Sequence, residues 1–266
     1  MRFSSVVICG AGKVRPENQD NYYMNGAYKA DPSDNTTHRI QSRASDQALY
    51  AVADGMGGEK HGELASFMTV RAMDSIDRTG GSDAIVSYLL DRNAEICRFI
   101  EAHGGVRSGS TFVGLCMNGD TADLVNIGDS RAYMLRDSHF WQISKDHTVV
   151  QRMLNMGIIT KEQMRTHPER HKLSQNLGIF PDEMIIEPHT SRATLMEGDL
   201  FLLCSDGLYE MVEDEKIEDI LLHSANISDM ATELYTSAID MGGVDNITVL
   251  LIKVESDDNI PIDATL

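Results

Sequence analysis

Apolar residues along this chain change their spacing several times, and each change marks an element. The run Val6 to Cys9 reads as a first strand. From Glu63 to Ile76 the positions Leu64, Phe67, Met68, Ala72 and Ile76 recur at helical spacing, and Ser82 to Ile100 does the same through Val86, Leu89, Leu90, Ala94, Cys97 and Ile100, with Ser82 as N-cap. The period then shortens. Thr111 to Met117 and Thr121 to Ile127 flank Asn118-Gly119, which predicts a type I′ hairpin, and Tyr133 to Leu135 and Phe140 to Ile143 extend it into an antiparallel meander. A helical segment from Val149 to about Gly157 is followed by a polar stretch to Gly178. After it come a strand at Asp199 to Cys204, helices near Asp214 to His223 and Ser228 to Met241, and a last strand at Asn246 to Val254. Lys29 to Asp46 reads as a loop, and Glu255 to Leu266 as a frayed end. Strands in hairpins with helices paired between them predict an α+β fold: two antiparallel sheets stacked face to face and covered by helix pairs on both outer faces.

Length and composition narrow the class. At 266 residues one large domain, 1–255 with a tail at 256–266, is the expectation, and no segment approaches the roughly 20 apolar residues of a membrane span. The N-terminus lacks a small-residue cleavage pattern. Cys9, Cys97, Cys116 and Cys204 lie in apolar settings without CxxC spacing, which fits buried free thiols in a reducing compartment, so cytoplasm is the expectation. A net charge of −18 disfavours nucleic acid and anionic membrane surfaces as partners. A monomer is expected.

The candidate chemistry lies in five acids. Asp20, Asp54, Asp129, Asp206 and Asp245 are scattered over the chain, yet each stands where an apolar run meets Gly, Ser or Asn. Asp in such a place is commonly a turn residue; five in parallel settings point to one shared cleft. Two carboxylates about 5 Å apart repel by roughly 3 kcal/mol at an effective dielectric near 20. Divalent cations offset that repulsion, and oxygen-only ligands select Mg or Mn over Zn.

Together the segments resemble the metal-dependent protein serine/threonine phosphatases of the PP2C (PPM) family in its compact bacterial form. The pieces that carry the likeness are Arg15 with Asn18-Gln19-Asp20, Asp54-Gly55-Met56-Gly57-Gly58, Gly62-Glu63, Ser108-Gly109-Ser110-Thr111, Gly128-Asp129-Ser130-Arg131, Asp146-His147-Thr148, Ser205-Asp206-Gly207 and Asp245-Asn246. The resemblance implies that Asp54 bridges two metal ions and that the Gly55 carbonyl adds a ligand. Asp206 and Asp245 would hold one ion, Asp20 the other directly or through water, and Asp129 would belong to a weaker third site. The segment from about Val149 to Gly178 would be the flap beside the active site. The implied activity is Mn- or Mg-dependent hydrolysis of phosphoserine and phosphothreonine in proteins by a metal-activated water, without a phosphoenzyme intermediate. A serine/threonine kinase or its targets would be the partner.

Such chemistry needs no nucleophilic side chain, and the sequence has no Walker A lysine loop. A phosphate dianion needs a guanidinium, for which Arg15 is the candidate; Arg131 is expected to form a structural ion pair. Relatives place His near the Asp-Gly pair where this chain has Met56 and Glu59, so the general acid is either a metal-held water or His61. His147 is assigned no catalysis. The rival readings are a regulatory pseudophosphatase, favoured by Met56 and Glu59, and a two-metal nuclease, disfavoured by the negative charge.

Overall fold

The computed structural model describes residues 1–56 and 61–256. Along the chain run β1 (Arg2–Gly10), β2 (Asp20–Met24), β3 (Ala27–Tyr28), β4 (His38–Ser45), β5 (Gln47–Met56), α1 (Gly62–Val70), α2 (Gly81–Ala102), β6 (Gly109–Ser110), β7 (Phe112–Asn118), β8 (Thr121–Ile127), β9 (Arg131–Arg136) and β10 (His139–Gln142). Then come α3 (Val149–Asn155), α4 (Lys161–Thr166), β11 (His189–Thr194), β12 (Leu200–Cys204), α5 (Asp206–Tyr209), α6 (Asp214–His223), α7 (Ile227–Asp240) and β13 (Ile247–Glu255). One sheet has the order β10-β9-β12-β13-β1-β4 and the other β11-β8-β7-β5-β2-β3, with β6 paired to β5. The pairings are antiparallel.

Both faces of the central strands are covered, which is why those strands read as continuous apolar runs. On β13, Leu250 and Ile252 face the space between the sheets with Tyr50, Val52, Leu115, Phe201 and Leu203. Val249 and Leu251, one residue out of phase, pack instead on Leu208, Ile217, Ile220, Leu221 and Leu234 beneath α5, α6 and α7. β5 divides the same way: Leu49 and Ala51 meet Met68, Ile85, Leu89 and Ile96 of α1 and α2. Each such Leu or Ile contributes roughly 1.5–3 kcal/mol by burial. The four cysteines are buried free thiols, as expected.

Several expectations are corrected. The stretch read as a loop from Lys29 to Asp46 contains β4, which alternates half-buried and exposed residues and pairs with β1 at the sheet margin. β11 closes the opposite sheet where no strand was expected. Both are outermost strands, with little apolar surface to reveal them. α1 stops at Val70, and a single 3-10 turn at Met73–Ser75 intervenes before Ile76. α2 begins at Gly81 with Gly80, not Ser82, in the N-cap position. The polar stretch before Gly178 holds α4, whose Thr160 and Gln163 form a reciprocal capping box. β13 takes in Glu255, the first residue of the expected frayed end. At the β7–β8 hairpin Asn118 pairs with Thr121 and Gly119 alone has positive φ (60°), the pattern of a type II′ turn with glycine first. The type I′ signature belongs to Asn25-Gly26 (φ 49° and 95°) between β2 and β3.

Candidate active site

Antiparallel pairing brings the five acids to one end of the sandwich. β2 starts at Asp20 directly opposite Asp54, near the end of β5. Asp206 follows β12 and Asp245 precedes β13, strands that pair with each other. Asp129 lies between β8 of one sheet and β9 of the other. Residues directly opposite in an antiparallel pair have Cβ atoms about 4.5–5.5 Å apart, so Asp20 against Asp54 is a repulsive pair.

Two close backbone approaches weld these ends together. A Cβ at Gly207 would fall 1.9 Å from the Asn246 carbonyl oxygen, joining the Asp206 turn to the Asp245 loop. One at Gly55 would fall 2.1 Å from Gly62 O and 2.6 Å from Gln19 O. Asn246 adds a polar knot: its Oδ1 accepts from Gln19 N (2.8 Å), and its Nδ2 donates to Ala11 O (3.1 Å) and Glu17 O (2.8 Å).

Asp20 is fully buried. Its Oδ2 accepts from Ser205 Oγ (2.6 Å) and Thr248 Oγ1 (2.7 Å), while Oδ1 has no protein partner. Burial pushes its carboxyl up to about 6, against the two hydroxyls. Asp54 and Asp206 keep part of their surface open to the cleft, yet burial and then the neighbouring acids hold both well above the usual carboxylate range; for Asp54 those neighbours are Asp20, Asp206, Asp129 and Asp245. Burial, with Asp146 beside it, raises Asp129 to about 7. Asp206 Oδ1 is likewise buried without a partner. Asp54 N donates to the Thr111 hydroxyl at 2.9 Å.

Arg15 makes a bidentate pair with Asp245, Nε to Oδ1 at 2.9 Å and Nη2 to Oδ2 at 2.7 Å. Its guanidinium thus stands at the mouth of the cleft, within the field of Asp206 and Asp54. Arg131 forms the expected ion pair, with Asp146, and lies over the Tyr209 ring at 3.7 Å. His61 sits in the N-cap position of α1 with φ 76°, and its ring packs on Phe99 of α2 and on His103, the C-cap residue of that helix, at 5.5 and 5.9 Å. His147 Nδ1 accepts from Gly128 N at 3.2 Å, and burial lowers it to about 4, a neutral structural histidine. Gly57, Gly58 and Glu59 lie outside the described residues.

The sequence reading missed the supports: the hydroxyls of Ser205, Thr248 and Thr111, Asn246 as a knot, and Lys29. The Lys29 ammonium is fully buried and donates to the Asn18 carbonyl close to Asp20. Ser before Asp206 and Thr248 in strand phase were the available signals; nothing local distinguishes Lys29.

These residues fit divalent cations. The donors are oxygen alone, and two buried carboxylate oxygens have no protein partner. Among the described residues no three acidic, His or Cys side chains close on one point as a finished shell. Mg²⁺ and similar ions keep several waters and take only one or two carboxylates each, which suits carboxylates spread around a cleft.

A stacked pair of antiparallel sheets with a cleft of acids at one end suits a hydrolase of the two-cation type. The family model described as Protein phosphatase 2C matches residues 28–238, and the chain belongs to that family. The serine/threonine phosphatase stp of Listeria welshimeri is 34% identical over 251 residues, 91% of this chain and 92% of that one. Protein phosphatase PhpP of Streptococcus pneumoniae is 30% identical over 95% of this chain and 98% of its own. The crystal structure of the Mycobacterium tuberculosis serine/threonine phosphatase PstP/Ppp superposes with a TM-score of 0.81 at 31% identity, covering 96% of this chain and 100% of that one. A structure of the PstP catalytic domain in complex with two manganese ions gives 0.77 at 29% identity, covering 96% and 100%. The enzyme class is that of the metal-dependent serine/threonine phosphatases.

Proposed function

We propose that this chain removes phosphate from phosphoserine and phosphothreonine on proteins, with Mn²⁺ or Mg²⁺ held by Asp20, Asp54, the Gly55 carbonyl, Asp206 and Asp245, and a third, weaker site at Asp129. The observation that carries this reading is the meeting of these carboxylates at one sheet end with Asp20 Oδ1 and Asp206 Oδ1 left without protein partners. When bound, such cations supply Lewis-acid charge and activate water for in-line attack on phosphorus. The chain's own residues do the rest. Ser205 and Thr248 fix one oxygen of Asp20 and leave the other directed elsewhere. Arg15, paired to Asp245 at the cleft mouth, exchanges that carboxylate for substrate phosphate, another bidentate acceptor.

Mn-dependent turnover of p-nitrophenyl phosphate and of a phosphothreonine peptide tests the assignment; activity that survives both EDTA and Asp206→Ala would sink it. For the leaving-oxygen proton the two candidates are a metal-held water and His61. If it is the donor, His61→Gln lowers kcat far more for the phosphothreonine peptide than for p-nitrophenyl phosphate, whose phenolate departs without protonation. Equal losses on both substrates would remove His61 from that role. We assign the chain to the cytoplasm as a monomer, with 1–255 as one catalytic domain, and a kinase or its targets as substrate. Among the described residues no helix is long and apolar enough to cross a membrane.

A further inference from the structure

The flap, residues 149–178, departs from the charge of the rest of the chain. It carries Arg152, Lys161, Arg165, Arg170 and Lys172 against Glu162 and Glu169, a net of 5 − 2 = +3 in a protein of −18. Its two feet are pinned to the site: His147 N bonds Gly128 O at 2.8 Å beside Asp129, Ser174 N bonds His147 O at 2.7 Å, and Leu177 N bonds Ser110 O at 2.8 Å. Farther along, Arg165 pairs with Glu213, and His171 Nδ1 lies 3.8 Å from Oε1 of Glu210, whose charge is felt by both Asp129 and Asp206. The segment therefore borders the cleft on its Asp129 side.

Abundant acids elsewhere in the chain leave Arg152, Lys161 and Arg170 exposed and without an ion-pair partner among the described residues. Between α3 and α4, Met156 and Ile158 are 66% and 64% exposed. α4 buries no residue, so its exterior serves no packing need. Unpaired cations on a segment that also exposes apolar side chains, and that is pinned beside the proposed phosphate site, are complementary to an acidic peptide with an apolar residue.

We propose that the flap is a docking surface for acidic segments flanking the phosphorylated residue of a protein substrate, so that acidic flanks are preferred over basic ones. This rests on the phosphatase reading above and adds the substrate's local charge to it. The −18 of the whole molecule opposes any acidic ligand at long range. At physiological ionic strength the screening length is about 8 Å, so the nearest cations decide close approach.

The test compares two phosphothreonine peptides of equal length, one with Asp and Leu flanks and one with Lys and Leu flanks, on the Mn-loaded wild type and on Arg152→Glu/Arg170→Glu. The wild type is expected to favour the acidic peptide by about five- to tenfold in kcat/KM, carried by KM, the scale of a few exposed charge pairs. The preference falls toward unity between about 0.05 M and about 0.5 M salt. In the variant it disappears or inverts. Fluorescence anisotropy of the labelled acidic peptide at the same salts reads the interaction without turnover. Equal kcat/KM on both peptides at low salt, a preference for the basic peptide, or a preference unchanged in the variant overturns the proposal. A wild type that hydrolyses p-nitrophenyl phosphate but shows no flank preference fails the flap alone; one that hydrolyses nothing fails the phosphatase reading itself.

Discussion

Asp54 occupies a position where a charge is costly, opposite Asp20 and within the field of three further acids. In metal-free protein the native state keeps protons on this group and on Asp206 far above the usual range, on Asp20 to about 6 and on Asp129 to about 7, whereas an unfolded chain releases them near 4. These four acids make the native protein bind more protons than the unfolded chain across that interval, against the two histidines His147 and His189 that burial lowers, and the four-to-two balance makes stability fall as pH rises through it. In EDTA the melting temperature is expected to drop between about pH 5 and about pH 7.5, and Asp54→Asn is expected to flatten that drop and melt higher at neutral pH while losing phosphatase activity; a wild-type melting temperature that climbs over the interval would refute the account. The five acids were legible because each stands at one end of an apolar run in the sequence. Their supports were not: Ser205 and Thr248 act on Asp20 from 185 and 228 residues away, and no local pattern announces a hydroxyl aimed at a remote carboxylate. Lys29 was hidden for the same reason, a charge buried by partners that fold up against it.

Among the elements, those in the interior declared themselves and those at the margins did not. β12 and β13 are covered on both faces, so their apolar runs could hardly be read otherwise. β4 and β11 need only half a face of apolar residues: Ile40 and Ala44 suffice for β4, and β11 has Ala193 as its one aliphatic. Polar, charged margins are also what keeps a sheet from pairing with a second molecule, so the feature that concealed these strands has its own use. The junctions between elements carry the site. The Gly207–Asn246 approach sets the Asp206 turn against the Asp245 loop at backbone distance. Gly207→Ala forces two rigid backbones apart and is expected to cost about 1–3 kcal/mol of stability, the usual scale of overpacking. It should also weaken Mn²⁺ binding by at least tenfold, because metal sites tolerate little displacement of their ligands. Thermal melts and calorimetric titration read the two effects separately, and a variant with wild-type Mn²⁺ affinity would show that this junction does not set the ligand geometry.

For the molecule as a whole, the acids serve two ends that a measurement can separate. A net charge of −18 is spread over the surface, and any salt screens it. The cleft acids are local, and bulk salt does not relieve their repulsion; protonation or an ion coordinated among them does. A ligand that binds the native state alone stabilises by RT ln(1 + [L]/Kd), about 2.7 kcal/mol at a hundredfold excess over Kd. For a domain of this size about 2–4 °C accompany each kcal/mol, so saturating Mn²⁺ is expected to raise the melting temperature by roughly 5–10 °C. Sodium chloride at matched ionic strength should give a small fraction of that shift, since it screens the surface and leaves the cleft unchanged. Asp206→Ala removes one unpartnered oxygen and one proposed ligand together; it should melt higher than wild type in EDTA and gain little from Mn²⁺. If Mn²⁺ raised wild type and Asp206→Ala equally, the stabilisation would belong to the surface charge, and the cleft acids would have to be read as a buried polar network without a cation.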